Sequence, residues 1–108
     1  MGIDTMHYVI RGFSENYEKA PDTEIPNKYR YPAEGEVGIL LDRMGGNYFM
    51  LGEVLAVSME HRGFHDVHEL PKRGMDLETE DSIHQMADDI GVTIDMDKFG
   101  TYVFTHFY

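Results

Sequence analysis

Three histidines stand close enough along this chain to share a metal ion. His61, His65 and His68 are spaced H-x3-H-x2-H, with Asp66 and Glu69 alongside. Imidazole is a good ligand for zinc or nickel, and three rings with a carboxylate could close a tetrahedral site. The spacing is not that of the helical H-E-x-x-H motif, and Gly63 interrupts the segment between the first two rings. A metal-dependent enzyme at this cluster is the third-ranked reading, behind histidines scattered on a surface loop. The stretch Asp95-Met96-Asp97-Lys98-Phe99-Gly100 begins like a calcium loop. Phe99 then occupies its fifth position, and His106 its twelfth, where a bidentate glutamate belongs. Ser14, Ser58 and Ser82 lack a nucleophile elbow, and the chain has no cysteine. No cofactor is expected, and a non-enzymatic role is preferred.

A second chemistry is anion binding. Gly45, Gly46 and Asn47 read as a tight turn into a capped helix start, where free backbone N–H groups would face a phosphate. Arg43 stands beside them. Lys28, Tyr29, Arg30 and Tyr31 form the only basic-aromatic island in the sequence. These residues could hold a nucleotide or another small anion. The plainer alternatives are a glycine-rich connection and tyrosines that pin a loop to the body.

The third chemistry is charge itself. Twenty acids against nine Lys plus Arg give a formal net charge of -11 over 108 residues. Such a surface repels phosphate backbones and anionic membranes, and attracts basic partners. From residue 75 to 97 come Asp76, Glu78, Glu80, Asp81, Asp88, Asp89, Asp95 and Asp97, with only Lys98 following. Carboxylates at helical spacing resemble a row of phosphates, so this block is the candidate partner-binding surface. The ordinary alternative is a solvated face.

These residues need a scaffold. Alternation at Met6, Tyr8 and Ile10 predicts a first strand. Residues 14–36 carry three of the four prolines and read as a long loop. Val37 to Leu41 is a short buried strand. Residues 47–63 predict a helix that is apolar almost all round, capped by Asn47 and stopped by Gly63. Ile83, Met86, Ala87 and Ile90 show a one-sided helical stripe over 80–90, closed by Gly91. Val92, Ile94 and Met96, then the stretch from Thr101 onward, alternate as a hairpin. The expected fold is α+β in one domain, residues 1–108: a mainly antiparallel sheet of about four strands, with two helices on one face. The order would be β-loop-β-α-α-β-β. A helix apolar on every side also suggests a homodimer. No secretory signal or membrane-spanning run is read, which points to the cytoplasm.

Residues 40–64, "LLDRMGGNYFMLGEVLAVSMEHRGF", resemble a group of short proteins carried by phages and plasmids. The shared core is a Gly-Asn-x-Phe helix start, matched by Gly46, Asn47 and Phe49, with Leu51-Gly52 following. The long Pro-rich loop and the C-terminal alternation depart from that group. The resemblance implies a mobile-element origin, and hence a host-cell cytoplasm. It implies no site residues.

The leading functional expectation is a stoichiometric inhibitor that mimics nucleic-acid charge. It would block the basic groove of a host defence or nucleic-acid-processing protein without touching nucleic acid itself. The second expectation is a nucleotide-binding or sponge protein at the Gly45-Gly46-Asn47 turn.

Overall fold

The computed structural model describes residues 5–16, 18, 24–42, 46–59, 64, 69–72 and 74–107. Four strands, β1 (Thr5–Asn16), β2 (Val37–Leu41), β3 (Tyr48–Ser58) and β4 (Phe99–Phe107), form one sheet. Their order across it is β2-β3-β1-β4, and every pairing is antiparallel. One helix, α1 (Leu77–Ile90), packs on it, and short 3-10 turns occupy Asn27–Tyr29 and Met96–Lys98.

This corrects the expected pair of helices. Residues 48–58, read above as a helix, are the long strand β3, paired with β1 on one side and β2 on the other. A strand covered on both faces carries a near-continuous apolar run, so its sequence loses the alternation that distinguishes strand from buried helix. In β3, Phe49, Met50, Leu51, Val54, Leu55 and Ala56 are all buried. Gly52 in mid-segment disfavours a helix by about 1 kcal/mol relative to alanine. Gly63, the supposed stop, lies outside the described residues.

The expected C-terminal hairpin is also replaced. Val92 and Ile94 pack against the core beside α1 instead of forming a strand. β4 pairs with β1, in unbroken register from Thr5↔Phe107 to Phe13↔Phe99.

The sheet has two different faces. On one, Phe13, Ile39, Phe49 and Leu51 meet Ile83, Met86, Ala87 and Ile90 of α1, with Ile25 of the loop closing the cluster. On the other lie Tyr8, Ile10, Leu40, Met50 and Val54, flanked by Tyr48, Tyr102 and Phe104. A bulge places Leu55 opposite the step between Val9 and Ile10, where the register shifts.

Across the middle of this second face runs an unbroken row of glycines. Gly38 pairs with Gly52, Gly52 with Gly12, and Gly12 with Gly100. A Cβ on Gly12 would sit 2.1 Å from the Leu51 carbonyl oxygen, and one on Gly52 would sit 2.4 Å from that of Arg11. Only hydrogen fits, so the long strands fold inward along this line and the second face becomes concave.

Among the described residues, no helix is long and apolar enough to cross a membrane.

Candidate functional site

The acidic block is built largely on α1. Asp76 is the N-cap, its carboxylate accepting from the Thr79 N–H at 2.8 Å. Glu78 and Glu80 lie in the first turn, where the positive end of the helix favours them. Gly91 ends the helix in the left-handed region at φ 77°, and the Val92 N–H reaches back to the Ala87 carbonyl.

With Ile83, Met86, Ala87 and Ile90 facing the core, the 100° spacing puts Glu78, Asp81, Gln85, Asp88 and Asp89 on the opposite side. All five are exposed. Asp89 is engaged: the Tyr29 hydroxyl donates to it, Gln85 donates at 2.9 Å, and the Lys28 ammonium stands 3.8 Å away. These contacts, the tyrosine bond first, hold its carboxyl below the usual range. The same bond pushes the Tyr29 phenol up. Glu80 is half-buried on the flank, with His84 at 3.9 Å. Glu78, Asp81 and Asp88 have no ion pair among the described residues.

Asp95 and Asp97 stand apart, in the 3-10 turn before β4. The Asp95 carboxylate accepts from the Asp97 N–H at 3.0 Å, which caps that turn. The block of eight therefore divides into a helical face and a separate turn.

The basic-aromatic island sits next to this face. Tyr29, Glu78, Asp81, Ser82 and Gln85 line an open groove of about 620 Å³. Lys28 lies 4.9 Å from the centre of the Tyr29 ring, and both residues bind Asp89. Arg30 turns back into its own loop, donating from Nε to the Ile25 carbonyl at 2.9 Å, with Glu24 3.9 Å from its Nη2. Tyr31 is 68% exposed and holds a left-handed φ of 52°.

The glycine turn has a different architecture from the expected helix start. It connects β2 to β3, and its described amides already have an acceptor. The Asn47 N–H donates to Asp42 Oδ2 at 3.0 Å, and the Gly46 N–H to the Asp42 carbonyl at 2.9 Å. An acidic side chain of the protein itself thus occupies the place a phosphate would take. Arg43 and Gly45 lie outside the described residues, as do His61, His65 and His68. Among the described residues no cluster of three or more metal-ligating side chains occurs.

A polar group that the sequence did not single out lies on the concave face. His106 is 5% exposed and Asp42 8%. The Tyr48 hydroxyl and His106 Nδ1 are 2.9 Å apart, and Tyr8 and Phe104 stack beside them. Burial pushes the imidazole pKa down, and the nearby Asp42 charge opposes that shift. No spacing in the sequence signals this group, because Asp42 follows β2, Tyr48 begins β3 and His106 lies near the end of β4.

No protein-family model, curated protein or solved structure matches the chain.

Proposed function

We propose that this protein acts by stoichiometric binding, with the outer face of α1 docking on a basic surface of a partner. Asp88 carries the reading. It sits in the last turn of α1, which has no basic residue, where the negative end of the helix disfavours a carboxylate by roughly 0.3–1 kcal/mol. It is exposed, and no cation among the described residues offsets it. A partner's lysine or arginine would turn that local cost into affinity.

Charge density supports a more concrete form. A helix of 14 residues is about 21 Å long at 1.5 Å per residue. One nucleic-acid strand carries about six phosphates over that rise. The outer face of α1 presents Glu78, Asp81, Asp88 and the Tyr29-bound Asp89 over that length, about two-thirds of the phosphate density, with Glu80 on the flank and Asp76 at the cap. Such a face suits a groove built for a phosphate backbone, as in a defence or nucleic-acid-processing protein.

The test compares the wild type with a Glu78→Gln, Asp81→Asn, Asp88→Asn triple variant, each immobilised in host lysate. Wild-type protein should capture a nucleic-acid-binding protein that both salt and duplex DNA release. The triple variant, with unchanged helical circular dichroism, should capture none. Capture that survives the three substitutions, or that DNA does not displace, overturns the proposal.

A further inference from the structure

The two edges of the sheet are protected very differently. β2 is five residues long, and a loop shields its outer side. Arg30 bridges to Ile39, and the buried Pro32 lies against Gly38, where a Cβ would fall 2.6 Å from the proline ring. Short length, proline and a covering loop are the usual means of blunting an edge strand.

β4 has none of these. It runs nine residues, Phe-Gly-Thr-Tyr-Val-Phe-Thr-His-Phe, without a proline, a lysine or any carboxylate. Its register with β1 has no bulge, and among the described residues no strand pairs with its other side. α1 packs over β2 and β3, and on the helix-side face of β4 Phe99, Thr101 and Val103 are exposed while Thr105 is half-buried against His7. Val103 is 73% exposed and Phe99 44%.

We propose that β4 is a self-association edge, pairing antiparallel with β4 of a second copy to make a continuous eight-stranded sheet. Charge selects the occupant. Two chains of formal charge -11 repel each other over most of their surface. β4 is a long uncharged stretch, and it matches itself better than it matches a basic partner. A two-fold axis at Thr101 sets Phe99 of one copy opposite Val103 of the other, twice. Aromatic–β-branched cross-strand pairs of this kind are stabilising. One pairing thereby covers both exposed apolar residues on the side of β4 that no described strand pairs.

This association is independent of the acidic face, and its response to salt has the opposite sign. Screening weakens docking on a basic partner but relieves repulsion between two acidic copies.

Sedimentation of the full chain at rising concentration, in low and high salt, tests it. The mass should climb from 12.5 kDa toward twice that value, and more readily in high salt. Val103→Lys puts a charge at the paired position on an exposed side chain. This variant should stay monomeric with unchanged circular dichroism. Alternate amides of residues 99–105 should gain exchange protection with concentration in the wild type only. A wild type that remains at 12.5 kDa under all these conditions overturns the proposal. So does a Val103→Lys variant that associates equally well, or protection that builds up outside β4.

Discussion

Tyr48 and His106 meet side chain to side chain, 2.9 Å apart, although they belong to opposite ends of the sheet. Tyr48 pairs with Asn16 at one end of β1, and His106 pairs with Met6 at the other. Ten residues of straight strand would separate those positions by about 33 Å. The contact therefore measures how far the sheet curls. The glycine row across its middle is what permits the curl, and the Tyr48–His106 bond closes it.

The burial of His106 makes stability sensitive to mild acid. Burial holds the folded pKa of His106 below its ordinary 6.5, so the unfolded chain takes up the proton first. The contribution is whole above pH 6.5 and is lost as pH falls from there toward the folded value. Thermal melts between pH 8 and pH 5 should show a declining wild-type midpoint, and a His106→Gln variant should follow a flatter curve over that window. Tyr48→Phe should cost about 1–2 kcal/mol at neutral pH, because it leaves a buried ring nitrogen without its partner. Equal pH slopes in wild type and His106→Gln would show that the ring does not titrate as described.

Gly12 should be among the least replaceable positions. An alanine Cβ there meets backbone atoms of β3, which cannot rotate away, and the expected cost is about 3 kcal/mol or more. Gly74 has nothing within 4 Å of such a Cβ, and Gly74→Ala should change stability by less than about 0.5 kcal/mol. Urea midpoints of the two variants would separate a structural glycine row from a chance alignment.

Asp76 separates stability from binding. Asp76→Ala removes the cap of α1 and should cost about 1 kcal/mol in chemical unfolding. Asp76→Asn keeps a side-chain oxygen for the Thr79 N–H and should cost little, while it removes one negative charge near the proposed docking face. If the charge contributes to docking, Asp76→Asn binds a basic partner more weakly at near wild-type stability. Unchanged affinity would confine Asp76 to capping.

α1 was legible in the sequence because its signals are local. A 3.6-residue stripe of four apolar residues and a glycine stop fall within nine positions, whereas the Asp76 cap, which starts the helix at Leu77 and not at residue 80, was not read. β2 and the first half of β1 were legible for the same reason, as a short apolar run and as alternation, but β1 continues to Asn16, into the stretch read as loop. β3 was not, since burial on both faces erases the periodicity that identifies a strand. The alternation at Val92 and Ile94 misled in the other direction, because those side chains reach the core beside α1 without pairing as a strand.

The candidate surfaces divide in the same way. Composition and spacing alone determined that the chain is strongly acidic, and that a helix ending at Gly91 presents carboxylates opposite its apolar stripe. Only the tertiary structure decided that Asp89 is tied to the Tyr29 loop and that Asp42 already holds the turn amides. It also brought Tyr48 to His106 and left β4 at the edge of the described sheet. The physical reason is range: helix capping and amphipathic spacing act within a turn or two of chain. Strand partners, edges and the fold of a sheet along a glycine row depend on residues tens of positions apart, which no local pattern records.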